Sequence, residues 1–391
     1  MKPVALRKLV APVRTWNPTS STSDDVFQYI DLSAVDQKEK TITGSREVSC
    51  IAAPSRARQI VARNDVLVST VRPNLNGVAV VPPHLDGAIA STGFCVLRPQ
   101  SSKLDERFLF QWVKTPQFVR EMVKLATGAS YPAVSDRIIL DSQIPLPPLE
   151  EQKRIAAILD KADAIRHKRQ EAIRLTDDFL RSVFLDMFGD PVLNNKRFPS
   201  GTIRDLVASV SYGTSQKAHI TDGKYAVLRM NNISSAGGWS FEDLKYVDLE
   251  EHSAYKYLVH KGQMLFNRTN SKELVGKTAV YREVTPIAFA GYLVRAIARG
   301  NADAEYISAY LNSAHGKTVL RGMCKSIVGM ANINAQELLS IPISIPPADL
   351  QKQFGNIVRG VYSKSHTHRL ASQTASDLFA SLQQRAFRGE L

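Results

Sequence analysis

The triplet Gly-Lys-Thr occurs twice in this chain, at Gly276-Lys277-Thr278 and at Gly316-Lys317-Thr318, and such a triplet closes the loop that cradles nucleotide phosphates. That loop also needs a glycine at its start, so that backbone amides can approach the phosphates. Ser271 and Leu311 hold those positions, so neither triplet is a phosphate cradle. His366 and His368 have no Cys or carboxylate cluster beside them and are expected to be surface or packing residues, with no metal site. Cys50, Cys95 and Cys324 are far apart and form no CxxC pair, which argues for buried thiols rather than a zinc knuckle or disulfide framework. The serines of "GASY" and "SYGTS" lack the paired His and acid that would activate a nucleophile. No catalytic centre follows from these residues.

Polar and cationic residues are instead concentrated in turns. They are Arg72, Asn74 and Asn76, then Ser130 and Tyr131, then Tyr212, Thr214, Ser215 and Lys217, then Arg229, Asn231 and Asn232, and finally Arg268, Asn270 and Lys272. Arg, Asn and Lys make paired contacts to base edges, and Ser, Thr and Lys suit phosphates, so these residues are the candidates for DNA contact. Backbone geometry alone also favours Asn in turns. The charge balance points the same way. Fifty Lys and Arg against 37 Asp and Glu give +13, and the excess is spread over both halves of the chain, as a polyanion partner requires.

The elements that must position these residues emerge from a repeat. "GASYPAVSDRIILDSQIPLPP" lies over "VGMANINAQELLSIPISIPP", with Val134 over Ile333, Leu140 over Leu339 and Ile144 over Ile343. Upstream, Leu67 pairs with Leu265, Gly93 with Gly291 and Val96 with Val294. The chain of 391 residues therefore reads as a tandem duplication: globular bodies at 1–143 and 198–342, each followed by a helical connector, at 144–197 and 343–391. Short β-branched runs such as "DVLVSTV" and "YAVLRM", punctuated by Gly, Pro and Asn, alternate with helical stretches such as "DERFLFQWVK". Each body is thus mixed α/β (α+β).

The first connector predicts one helix from Glu151 to about Phe188, and at 1.5 Å per residue it is about 57 Å long. Ile155, Ile158, Ile165 and Phe179 fall at its a and d positions; Phe354, Ile357 and Leu378 do so in the second. If a pseudo-two-fold axis relates the halves, the helices run antiparallel as a coiled-coil spacer with the bodies at opposite ends. The alternative is two amphipathic helices that each cover their own body. Glu150 and Glu151 suit the positive end of the helix dipole. A 44% hydrophobic, 22% charged composition, no apolar run of about eighteen residues and no export signal predict a cytoplasmic protein.

The order body, helix, body, helix, with "IPLPPLEEQKRIAAILD" opening one helix and "IPISIPPADLQKQ" preceding the other, resembles the specificity subunit of type I restriction-modification systems. "GKYAVLRMNNIS" from Gly223 is similar to the target recognition domains of that family. The resemblance implies a non-catalytic chain whose two bodies read the halves of a bipartite, asymmetric site in double-stranded DNA. It further implies that two methyltransferase subunits dock around the helices and that a restriction/translocase subunit can join. S-adenosylmethionine, ATP and Mg would belong to those partners, with no cofactor in this chain. The second helix departs from the first, with Leu350 where the first has Glu151 and Gln353 where it has Arg154. A non-catalytic repeat scaffold for protein or RNA partners is the competing reading.

Overall fold

The computed structural model describes residues 1–18, 25–234, 236–241, 243–327 and 330–391, apart from the side chains of 325–327 and 365–370. The side chains of His366 and His368 therefore lie outside the described residues. The chain forms two compact units, one of residues 1–169 with 371–391 and one of residues 170–370. No helix among the described residues is long and apolar enough to cross a membrane.

In the first unit one antiparallel sheet is ordered Val10–Ala11, Phe94–Pro99, Val66–Ser69, Val78–Val80. A second is ordered Arg46–Ser49, Val26–Ile30, Ile89–Ser91, Ala57–Ile60, with a parallel pair in its middle. Three short helices follow: α1 (Glu106–Val113), α2 (Pro116–Leu125) and α3 (Asp136–Asp141). Each starts at a side chain able to satisfy a free amide, namely Asp105, Thr115 and Ser135. Val66, Val68 and Leu97 from the first sheet bury against Phe108, Trp112 and Phe118 from the helices.

The second unit repeats this plan. One sheet is ordered Val207–Tyr212, Leu293–Ala298, Met264–Asn267, Thr278–Val280, and another Lys245–Val247, Tyr225–Leu228, Ile287–Phe289, Leu258–Val259, again with a parallel pair at its centre. The duplication read from scattered apolar matches is therefore also a duplication of strand order. A small sheet of Thr269–Asn270, Met330–Asn332 and Lys325–Ile327 occupies the place where the first unit has only single bridges, Val71 to Ala133 and Thr127 to Ala133.

Helix α4 (Leu149–Phe188) begins in the first unit and ends in the second. It is 40 residues long and has no Gly or Pro in its span, and Glu150–Lys153, Glu151–Arg154 and Glu171–Arg174 pair along its surface. The second unit then adds α5 (Ile203–Leu206), α6 (Ala304–Asn312), α7 (Ala314–Met323) and α8 (Ala335–Leu339). Helix α9 (Ala348–Arg388), 41 residues long, begins in the second unit and ends in the first. Each unit consequently packs the start of one long helix and the end of the other. In the first unit Ile155 and Phe387 share a core; in the second Phe354 and Phe188 do, with ring centroids 5.4 Å apart. Gly355 leaves room for the Asp303 carboxylate and its Arg359 partner, since a Cβ there would stand 2.2 Å from Asp303 Oδ2.

Candidate nucleic-acid interface

In the first unit the chain leaves the buried strand Val66–Ser69 and turns at Arg72, which adopts the left-handed conformation at φ 51°. A non-glycine residue there costs about 1 kcal/mol or more, so the surrounding structure must hold it. It does: the Arg72 amide donates to the Pro132 carbonyl at 2.7 Å, and the guanidinium lies over the Tyr131 ring at 4.7 Å. Both side chains are exposed, and Tyr131 retains 67% of its accessible surface. Asn74 and Ser130 are exposed on the same two loops. Asn76 is also left-handed, at φ 46°, and its carbonyl accepts a hydrogen bond from Lys40 Nζ at 2.5 Å. Partial burial, then the nearby Lys114, lowers the Lys40 pKa.

The second unit also places an arginine just beyond the corresponding strand, two positions earlier in the repeat than Arg72. Arg268 follows Met264–Asn267, and its guanidinium lies over the Tyr212 ring at 4.9 Å. The Tyr212 hydroxyl is fixed in turn, accepting from the Ala335 amide at the start of α8 at 3.1 Å. Arg268 Nε is buried with no hydrogen-bond partner among the described residues. The tyrosine comes from a different part of the repeat in each unit. Tyr131 lies in the loop before α3, whereas Tyr212 ends the strand Val207–Tyr212.

The other candidate residues divide by exposure. Ser215, Lys217, Asn231 and Lys272 are exposed. Arg229 is half-buried and donates to the Asp243 carbonyl at 2.6 Å. Asn270 is half-buried and accepts from the Ser271 amide at 2.9 Å. Thr214 and Asn232 are interior. The Thr214 hydroxyl accepts from the Gln216 amide, while Asn232 accepts from the Arg229 amide and donates to the Ser240 carbonyl. Their polar groups build turns.

The two Gly-Lys-Thr triplets are scaffold for the same region. Lys277 is buried and donates to the carbonyls of Met230 and Ile233 at 2.9 and 2.6 Å, which pins the Arg229–Asn232 turn. Lys317 donates to the Gly276 carbonyl and Asn312 Oδ1, so the second triplet binds the first. Burial lowers both pKa values. For Lys317, desolvation with Lys277 and Arg321 nearby brings it to about 8.

The helix residues divide in the same way. Ile155 and Phe354 are buried in their units' cores and Ile158 is half-buried. Ile165 and Leu378 in the first unit, and Phe179 and Ile357 in the second, remain exposed. Two residues missed by the sequence reasoning are Gln152 and Gln351, which the motif reading treated only as helix start. They are 1% and 0% exposed, and their amides tie the long helices to the bodies. Recurrence at the same point of the duplicated motif, with no place for them in an apolar seam, was the available signal.

Comparison with known proteins bears on this arrangement. The family model described as type I restriction modification DNA specificity domain matches residues 58–175 and 198–372. The chain is 24% identical over 332 residues to the type I restriction enzyme EcoKI specificity subunit of Escherichia coli K12, covering 79% of this chain and 70% of that one. It is 22% identical over 321 residues to the StySPI specificity subunit of Salmonella potsdam, covering 76% and 68%. Among solved structures, the S subunit of a type I restriction-modification system from M. genitalium shares the fold with a TM-score of 0.60 at 13% identity, over 99% of this chain and 96% of that one. A chain from a structure of type I R-M complex assembly aligns with a TM-score of 0.53 at 24% identity, over 100% and 98%. The family model takes in the first body from residue 58 onward, the second body and parts of both long helices, and the protein belongs to the type I restriction-modification DNA specificity family.

Proposed function

We propose that this chain is the sequence-reading, non-catalytic subunit of a type I restriction-modification complex, in which residues 1–143 and 198–342 each read one word of a bipartite, asymmetric DNA site. The observation that carries the reading is an Arg-Tyr stack in each unit: Arg72 on Tyr131 and Arg268 on Tyr212, each arginine in the segment that leaves the equivalent core strand. A guanidinium laid on an aromatic face has already lost much of its rotamer freedom, and its planar fork suits guanine or phosphate oxygens. Asn74, Ser130, Ser215, Lys217, Asn231 and Lys272 supply further exposed polar groups, and Asn76, Arg229 and Asn270 half-buried ones. Thr214 and Asn232 fall outside the interface because both are consumed in turns.

Residues 144–197 and 343–391 act as an antiparallel spacer between the readers. In the first unit, Arg154 near the start of α4 donates to the Leu391 carbonyl, and Arg166, further along, lies 5.3 Å from the Phe379 ring, which supports opposite directions. The apolar side chains that the cores leave exposed, Ile165, Phe179, Ile357 and Leu378, are offered to two methyltransferase subunits. Those partners would bring S-adenosylmethionine, and a restriction subunit would bring ATP and Mg.

The test is to assemble the full chain with its methyltransferase subunits and map the methylated sites on random DNA. Two fixed words separated by an unread spacer are expected. A folded complex that methylates or retains no defined site would favour the scaffold reading.

A further inference from the structure

Gln152 and Gln351 occupy the same point of the duplicated motif, each in the first turn of a long helix and each fully buried. Gln152 Oε1 accepts from the Asp105 amide at 2.9 Å, while its Nε2 donates to the Lys103 and Pro147 carbonyls at 3.0 and 2.9 Å. Asp105 is the residue that caps α1 of the globular body, and Pro147 follows the strand Gln143–Leu146 that leads into α4. One amide thus joins three pieces of backbone: the cap of the body's first helix, the loop before it and the entry to the rod. Gln351 repeats the device, accepting from the Asp303 amide at 3.2 Å and donating to the Pro346 carbonyl at 2.8 Å. Asp303 is the corresponding cap, of α6.

We infer that Gln152 and Gln351 are positioning residues that set the direction in which each long helix leaves its recognition body, and through it the number of base pairs between the two words read. The inference rests on the function proposed above and assigns to these residues the angle rather than the reading. The geometry makes a small error large. A 40-residue helix is about 60 Å long, so a tilt of about 5° at its first turn moves its far end by about 5 Å, the rise of one to two base pairs. At the joint itself Pro147 and Pro148, or Pro346 and Pro347, lack amide protons and so donate nothing to hold it; further along, Asp160 accepts from Gln111 and Asp163 from Lys114, each at 2.8 Å, and Arg359 pairs with Asp303 at 3.1 Å, so the glutamines are the ties nearest the pivot. The surrounding apolar contacts are non-directional and resist a tilt less than the three hydrogen bonds of Gln152 or the two of Gln351 do.

The variants Gln152→Met and Gln351→Met keep side-chain length and burial and remove the hydrogen bonds. Each full chain, assembled with its methyltransferase subunits, is compared with the wild type by mapping methylated sites in a library that holds both words constant and varies the spacer one base pair at a time. The wild type is expected to use one spacer length. Each variant is expected to keep both words but to lose about tenfold in preference for that length over its neighbours. A variant that melts cooperatively and keeps the wild-type spacer preference overturns the inference, since the glutamine would then serve the fold alone. Altered words overturn it as well, by placing the glutamine in the reading. Failure of both variants to fold also overturns it, because the residues would then be determinants of folding. If the wild type itself shows no bipartite site, the functional reading fails, and the wild-type arm distinguishes that outcome from failure of the positioning role.

Discussion

Phe387, in the last turn of α9, packs edge-on against Trp112 of α1 with ring centroids 5.0 Å apart. Trp112 is fully buried and Phe387 also meets Phe108 at 5.1 Å, so the end of the chain completes the core of the first unit. Phe188, at the end of α4, does the same in the second unit against Tyr306 at 4.6 Å.

Phe387→Ala is therefore expected to destabilise the first unit by about 3 to 5 kcal/mol, the cost of emptying an aromatic site in a close-packed core. Chemical denaturation followed by Trp112 fluorescence measures it. A loss below about 1 kcal/mol would show that the last turn of α9 is a surface appendage.

Ile165→Asp with Leu378→Asp changes two exposed residues of the first unit. Stability should stay within about 0.5 kcal/mol of wild type for each substitution, while association with methyltransferase subunits weakens by at least tenfold. Analytical ultracentrifugation reads both partners at once. Undiminished association would remove this helix face from the docking surface.

Arg72→Ala should weaken discrimination at one word only and Arg268→Ala at the other, by about 1 to 3 kcal/mol if the guanidinium touches a base. Competition binding against single-word variants separates the cases. Equal loss on specific and random DNA would identify phosphate contacts instead.

Lys317 carries its pKa at about 8, below its ordinary 10.5, because burial and neighbouring cations oppose its charge. Between those two values the unfolded chain binds more protons than the folded one, so this group makes stability rise with pH from about 8 to about 10. At pH 7 its charge destabilises the fold. Lys317→Met is expected to flatten that rise in denaturation midpoints measured across the window. A slope equal to that of the wild type would mean that the amine is solvated.

Adding four residues to α4 after Arg169, matched by four in α9 after Leu370, lengthens each helix by about 6 Å and just over one turn. The words should persist and the unread spacer should grow by about two base pairs. Methylation-site mapping of the double insertion decides: an active complex with the original spacer would free the helices of any part in setting the distance.

Much of this protein is legible in its sequence because the information is local or repeated. The strand order appears twice because apolar positions such as Leu67 and Leu265 recur in register. The long helices are written in an apolar period, acidic first turns and, for Leu149–Phe188, the absence of any Gly or Pro. The motif from Pro147 names the family.

Partnership across the chain was not legible. The aromatic type of Phe387 favours burial but does not say that it lies against Trp112; that choice is made when the chain closes on itself, since non-directional burial accepts many partners. Polar type likewise placed Thr214 and Asn232 with Arg72 and Arg268, although the first two are spent inside turns and the others lie on tyrosines drawn from a loop in one unit and a strand in the other. A hydrogen-bonding side chain serves either backbone or ligand equally well, and only the packing around it decides which groups are left facing outward. Gln152 makes the same point from inside: its type fits a helix surface, and the meeting of the Asp105 cap, the Lys103 loop and Pro147 around it turns it into a joint.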